Sequence, residues 1–420
     1  MEALAAANAN FSLELFKKIT EITKAKNTGN VFYSPFSISS ALAMVSLGAR
    51  GNTEVQILEV SSQCTQFSEA MDSFTQGNCI QCMMYSGGSR PFLLGGPRRV
   101  EGDVHVGFNK LLAELNKDGA PYALSLANRL YGEKTYKFVE KFLDDTKTLY
   151  LAELEAVDFI SNAEAARVKI NKWVEKKTQE KIKDLLAKGD VDDETRLVLV
   201  NALYFKGDWE MKFNRGNTTE VQFKINKNES KPVQMMQQTA GFSLTYVPDV
   251  DCQILELPYE GKDMSMLIML PNNMEDNTTG LEKLEQMLTY DKLVEWTRPD
   301  MMHTVEVKVG LPRFKLEETY DLKEILVSMG MVDAFSPKKC DFSGMSPCNN
   351  LVLSKVVQKS FVEVTEEGTE AAAATAVTAT LITSSMPLIQ KMFRADHPFL
   401  FFIRHNPTQS ILFYGRYSSP

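Results

Sequence analysis

Between Phe11 and Ile22 the apolar positions Leu15, Phe16, Ile19 and Ile22 recur at helical spacing and predict a helix. Ser34-Pro35 predicts the start of a second, because serine suits the cap and proline the first turn. Ile38, Leu42 and Val45 give that helix a buried face, and Gly48 marks its end. Further helices are predicted over Asn52 to Val60, Val106 to Leu115, Val139 to Tyr150, Ala163 to Leu186, Leu281 to Trp296 and Leu322 to Met329. In the stretch from Ala163, the residues Ile170, Trp173, Val174, Ile182 and Leu185 form one face. Tyr122 to Leu130 reads as a strand. Leu197 to Phe205 is almost continuously apolar, which predicts a strand buried on both faces. Short strands follow at Val221–Phe223, Gln253–Leu257, Met264–Leu270 and Thr304–Val309. Helices early and strands late predict an α+β fold built on large antiparallel sheets.

Residues 61–102 break the pattern. They hold Ser, Gly and Gln clusters, the pair Gly87-Gly88 and the run Gly95-Gly96-Pro97-Arg98-Arg99. Their apolar residues keep no sustained period, so the segment reads as a long surface insertion.

Composition narrows the function classes. Forty-six basic against 54 acidic residues leave a net charge of −8, which argues against a phosphate-binding surface and a polybasic membrane anchor. No apolar run approaches the ~18 residues of a membrane span. Six cysteines in 420 residues are too sparse for a disulfide scaffold. The first residues lack a basic start followed by an apolar core, so a cytoplasmic chain is expected, any release proceeding without a cleaved signal.

The four histidines, His105, His303, His397 and His405, lack zinc-type spacing. Cys79-x-x-Cys82 has the form of a redox or metal half-site but no second pair follows, and a solvated loop is the simpler reading. Ser336-x-x-Lys339 matches a Ser-Lys dyad by spacing alone, in a turn-like Ser-Pro-Lys-Lys. These features argue against an enzyme, and no metal or cofactor is expected.

The segment after Val362-Glu363-Val364 is unusual. From Glu367 it reads Glu-Gly-Thr-Glu-Ala-Ala-Ala-Ala-Thr-Ala-Val-Thr-Ala-Thr-Leu-Ile. Thr and Val after Ala374 weaken a helix and favour a strand. Period two places Thr369, Ala371, Ala373, Thr375, Val377 and Ala379 on one face, all small or β-branched and uncharged. Such a strand would enter a packed sheet without overfilling it. An Ala/Thr-rich disordered loop is the competing reading.

Several motifs, in order, resemble the serpins. Glu367-Gly368-Thr369-Glu370-Ala371-Ala372-Ala373 resembles the proximal hinge of their inhibitory members. Asn201-Ala202-Leu203-Tyr204-Phe205-Lys206-Gly207-Asp208-Trp209 resembles their central strand. The Ser34–Leu42 stretch, Leu311-Pro312-Arg313-Phe314-Lys315, His397–Ile403 and the tail from Gly415 match further motifs, the last pointing to the ovalbumin-like intracellular clade. The resemblance covers nearly all the chain outside residues 61–102.

The resemblance implies a single serpin domain over 1–420, with about nine helices around three β-sheets. It places the insertion between the third and fourth helices and an exposed reactive-centre loop over 367–394. A protease would attack that loop and form an acyl-enzyme, and the cut loop would insert into the main sheet as a new strand. Fourteen residues at ~3.3 Å each would move the tethered protease on the order of 45 Å. The family's usual spacing from the hinge glycine points to Ile382–Thr383 as the reactive bond, or to Leu381 if the cut slips by one. The segment from Thr383 to Arg394 is a few residues longer than in relatives, which makes Ser384, Ser385 or Met386 alternatives. An aliphatic residue there suits elastase-like or chymotrypsin-like serine proteases as partners, with no nucleic acid and no membrane, and the chain is expected to be a monomer. Ser37, Ser40, Asn201 and Gln358 would form the shutter beneath the opening sheet, and Trp209 would lie at the breach. Gln358 departs from the family's usual histidine; it can donate and accept but carries no titratable charge. A non-inhibitory serpin with a binding or chaperone role is the alternative, and the alanine-rich hinge argues against it.

Overall fold

A computed structural model describes residues 2–24, 29–62, 104–274, 279–298, 300–348, 350–369 and 390–420. Nine α-helices and two hydrogen-bonded sheets account for most of them. The helix α1 (Glu2–Lys24) packs on α2 (Pro35–Ser46) and α3 (Gly51–Ser62). Helix α2 is buried along its whole length, and the expected cap is present: the Ser34 hydroxyl accepts from the Ser37 amide at 3.1 Å. A fourth helix, α4 (Val104–Leu115), and α5 (Glu140–Tyr150) form where helices were expected, over Val106 to Leu115 and Val139 to Tyr150.

The six-stranded sheet runs β10 (Phe314–Asp321), β11 (Leu353–Val364), β12 (Gly368–Thr369), β4 (Leu197–Asp208), β2 (Tyr122–Glu133) and β3 (Glu153–Val157). One face lies on α2 and the main core; there Leu199, Leu203 and Phe205 of β4 join Val356, Val362 and Val364 of β11. The other face lies under α6 (Phe159–Lys177), where Val198, Val200 and Tyr204 meet Ile170 and Val174. The near-continuous apolar run of β4 follows from this double burial.

The second sheet has nine strands, ordered β1 (Val31–Tyr33), β15 (Ser410–Tyr417), β14 (Phe399–His405), β8 (Met264–Pro271), β7 (Cys252–Pro258), β6 (Ser230–Val247), β9 (His303–Pro312) and β13 (Lys391–Arg394), with β5 (Thr219–Lys224) on β6. Two of the three expected sheets are therefore joined by hydrogen bonds. The 18-residue β6 pairs with β5 at one end and β7 at the other, while β9 pairs with its middle, from Met235 to Leu244.

Two predicted helices are shorter than expected. The helix beginning near Ala163 ends at Lys177, and Gln179, Glu180 and Asp184 then take positive φ values of 53°, 64° and 50°. Ile182 and Leu185 still reach the α6 side of the sheet, from irregular chain. The stretch from Leu281 to Trp296 divides into α7 (Glu282–Met287) and α8 (Tyr290–Trp296), because Thr289 caps the second helix by accepting from the Lys292 amide. The ninth helix is α9 (Lys323–Ser328). Of residues 61–102, all beyond Ser62, and with them Cys79, Cys82, Arg98 and Arg99, lie outside the described residues. No described helix is long and apolar enough to cross a membrane.

Candidate functional site

The centre of the smaller sheet contains a parallel seam. Strands β4 and β11 run side by side from Leu197/Leu353 to Tyr204/Phe361, with Asn201 opposite Gln358. Each is antiparallel to its other neighbour, β2 or β10. Beyond Tyr204/Phe361 the two strands part, and β12 occupies the space between them. Thr369 stands opposite Val364 on one side and Gly207 on the other, antiparallel to both.

The chain turns into this slot over Thr365–Gly368. The Thr365 amide donates to the Gly368 carbonyl at 2.8 Å, and the Thr365 hydroxyl donates to the same oxygen. Gly368 lies against the backbone of β4, where an added Cβ would stand 2.1 Å from the Gly207 carbonyl oxygen. Only glycine fits that approach.

The slot is held from the β7 side. Trp209 donates its indole N–H to the Thr365 carbonyl at 3.0 Å and its amide to the Glu367 carbonyl at 2.8 Å. Its ring stacks on Tyr259 with centroids 4.5 Å apart. The Tyr259 hydroxyl in turn meets the Thr369 hydroxyl at 2.8 Å, and burial pushes the Tyr259 phenol pKa well up. Glu366 is buried and accepts from the Thr218 hydroxyl at 2.7 Å. Glu367 receives Lys212 at 3.4 Å and Arg215 at 3.6 Å. Hydrogen bonding, chiefly to Asp208, raises the Lys212 pKa. The loop root thus starts from a fixed direction and register.

Further down the seam a polar row crosses the sheet on the α2 side. Asn201 Nδ2 donates to Ser37 Oγ and to Asn128 Oδ1, both at 2.5 Å. Asn128 Nδ2 donates to Ser40 Oγ at 3.3 Å. Gln358 faces Asn201 in register but donates to Ser360 Oγ on its own strand. Asn201 Oδ1 and Gln358 Oε1 are both buried without a hydrogen-bond partner. Leaving a buried acceptor unpaired costs roughly 1–3 kcal/mol.

Ser37, Ser40 and Asn201 thus lie together with Asn128, while Gln358 sits beside them and bonds to Ser360. Trp209, Glu367, Gly368 and Thr369 meet at the loop root. Glu370, Ala371, Ala372 and Ala373, with Leu381, Ile382, Thr383, Ser384, Ser385 and Met386, lie outside the described residues. Two participants escaped the sequence reading. Asn128 carried a signal, an amide on the apolar face of the Tyr122–Leu130 run. Tyr259 carried none, being one aromatic in an apolar strand end.

A profile of the serpin family, described as serine protease inhibitors, matches residues 6–420. The chain belongs to the serpin family. This serpin is 48% identical to the leukocyte elastase inhibitor of Equus caballus over 420 residues, all of both chains. It is 50% identical to serpin B6 of Macaca fascicularis, again over the whole of both. A crystal structure of uncleaved ovalbumin superposes with a TM-score of 0.81 at 35% identity, covering 99% of this chain and 100% of that one. The described portion of the fold thus agrees with the α+β serpin architecture expected from the motifs.

Proposed function

We propose that this serpin inhibits serine proteases of elastase or chymotrypsin type as a single-use substrate. The observation that carries the reading is β12. Gly368 and Thr369 already lie between β4 and β11, antiparallel to both. Each further residue of the loop that entered the seam would step one residue back along both strands. Ala371 and Ala373 would then oppose Phe205 and Leu203 over the α2 core, and Val377 would oppose Leu199. Ala372, Ala374 and Ala376 would oppose Tyr204, Ala202 and Val200 under α6. Small side chains are what two already packed faces admit.

The chemistry belongs to the protease. Its serine attacks the Ile382 carbonyl, the bond to the Thr383 nitrogen breaks, and an ester links Ile382 to the enzyme. The freed strand parts β4 from β11 and replaces one parallel ladder with two antiparallel ones, which are slightly more stable per residue. The tethered protease is carried along the sheet before water hydrolyses the ester. The serpin contributes a strained sheet and a bait but no catalytic group. An aliphatic Ile382, or Leu381, fits an elastase-like or chymotrypsin-like pocket and lacks the charge a trypsin-like pocket requires. The relatives named as elastase inhibitors support the same target class. Monomeric action in the cytoplasm completes the reading.

Incubation with an elastase-type and a chymotrypsin-type protease tests it. An SDS-resistant complex and a released peptide beginning at Thr383 are expected. Complete cleavage with no stable complex would overturn the inhibitor reading, and a different first residue would move the bond.

A further inference from the structure

Four serines in the chain precede a proline: Ser34, Ser336, Ser346 and Ser419. The fold engages three of their hydroxyls. Ser34 is buried, and its Oγ donates to the Leu412 carbonyl while capping α2. Ser346 is buried, and its Oγ accepts from the Cys348 amide at 3.4 Å. The Ser419 Oγ accepts from Lys231 Nζ at 3.1 Å. Only the Ser336 hydroxyl has no hydrogen-bond partner among the described residues, so its spacing to Lys339 does not form a dyad.

Ser336 follows a single 3-10 turn, Asp333–Phe335, and its own backbone is extended, with φ −103° and ψ 114°. It is half-buried, while Pro337, Lys338 and Lys339 after it are exposed. A surface turn joins them, closed by the Lys339 and Cys340 amides, which donate to the Ser336 carbonyl at 3.0 and 2.9 Å. Proline takes the first position of that turn, where its missing N–H forfeits no bond. An extended serine with a proline at +1 and a lysine at +3 fits the substrate groove of a proline-directed serine kinase. Such a groove offers no acceptor to an amide at +1, which penalises every residue except proline, and an acidic group beyond it pairs with the +3 cation. The same stretch of chain is docked on α3. Gln56 Oε1 accepts from the Val332 and Asp333 amides at 2.9 and 2.8 Å, and Asn52 Nδ2 donates to Asp333 Oδ2 at 2.6 Å. Thr53 Oγ1 accepts from the Asp341 amide at 3.0 Å. Burial, with the charges of Asp341 and Asp333, raises the Cys340 thiol pKa, so both carboxylates bear on the residue that closes the turn.

We propose that Ser336 is a phosphorylation site for a proline-directed serine kinase, and that the phosphate loosens the hold of this segment on α3. In the transfer, Ser336 Oγ forms a bond to the γ-phosphorus of Mg-ATP. The bond from that phosphorus to the β,γ-bridging oxygen breaks, ADP leaves, and the hydroxyl proton passes to the kinase's carboxylate base. The kinase takes its substrate extended, so the two turn bonds must open, and both lie at the surface, where local opening is easiest. The phosphate brings about −1.5 to −2 charges to an edge that already carries Asp333 and Asp341. Lys338 and Lys339 offset part of the repulsion, but they stand on the solvent side of the turn, while both aspartates take part in the contact with α3.

The test treats the full-length serpin with a proline-directed serine kinase and Mg-ATP and maps the phosphate by peptide mass. Phosphate is expected on Ser336, while Ser34 and Ser346, the same dipeptide in buried settings, stay unmodified. Ser336→Ala should abolish incorporation there. Pro337→Ala and Lys339→Ala should each slow it at least about fivefold. A synthetic peptide covering 331–342 gives the rate for the same sequence without the fold. A peptide that is phosphorylated while the folded protein is not would show that the turn closes the site, and would overturn the assignment. So would phosphate confined to other residues, or a rate indifferent to Pro337→Ala. In the phosphorylated protein, hydrogen exchange at the Val332, Asp333 and Asp341 amides should quicken about fivefold. Exchange unchanged at all three amides would overturn the effect on α3.

Discussion

The Tyr259 hydroxyl lies 2.8 Å from the Thr369 hydroxyl, and both residues are buried. Tyr259 follows β7 of the larger sheet and Thr369 is the last described residue of the loop root in the smaller one. The contact therefore joins the two sheets at the point where the loop enters the seam. Trp209, stacked on Tyr259 and bonded to Thr365 and Glu367, makes the same junction from β4.

Tyr259→Phe keeps the ring on Trp209 and removes only the hydroxyl. The Thr369 hydroxyl then lacks its partner in a dry site, at a cost of about 1 kcal/mol. Hydrogen exchange at the Thr369 amide should quicken about fivefold, with the rest of β4 unaffected. Exchange unchanged at Thr369 would show that the hydroxyl contact does not hold the loop root.

Thr369→Arg asks the slot to bury a cation beside Tyr259 and the Gly207 backbone. The loop root should leave the slot in the intact protein and fail to re-enter after cleavage. The variant should be cleaved by its target protease like an ordinary substrate, with the SDS-resistant complex reduced at least about tenfold on a gel. Wild-type yields of complex from this variant would contradict insertion through β12.

The parts of this site that were legible in the sequence were those coded locally. The Glu367–Ala373 hinge was read from the resemblance to serpins, whereas the small-residue face from Thr369 needed only composition and period two. The Ser34 cap and the double burial of β4 followed in the same way. What escaped depends on register between distant strands. Asn128 meets Ser37 across 91 residues and Tyr259 meets Thr369 across 110, and no local pattern encodes either pairing. The overlong helix from Ala163 has the opposite cause. Its apolar spacing persists past Lys177, but the left-handed residues at 179 and 180 end the helix, and the same side chains reach the core from irregular chain.

The proposed reactive bond makes specificity transferable. Replacing Ile382 by Arg should abolish complex formation with an elastase-type enzyme and create it with a trypsin-type one, because a primary pocket bearing a carboxylate selects a cation. The exchange should be visible as a change in which protease forms the SDS-resistant complex. If Ile382→Arg leaves elastase-type inhibition intact, the bond lies elsewhere, and Leu381, Ser384, Ser385 and Met386 would be substituted next.

Glu318 predicts a pH dependence beside the seam. It stands on β10 opposite Ser360, on the same face as Tyr320, which stands opposite Gln358. Burial, helped by the neighbouring Glu317 carboxylate, raises its pKa to about 6. A carboxyl with a folded pKa above its unfolded value, near 4.3, binds more protons folded than unfolded between the two. Its contribution to stability is complete below about pH 4 and is lost as pH rises through 6. Glu318→Gln has no such titration. The variant and wild type should melt within a degree or so of each other near pH 4. The variant's advantage should grow between about pH 4.3 and 6 and level off by pH 7, reaching about 1–2 °C after allowance for the solvent that still screens the half-buried group. An advantage that is constant across this range would mean that the substitution acts through packing and that the carboxylate's charge is not what strains this edge of the sheet.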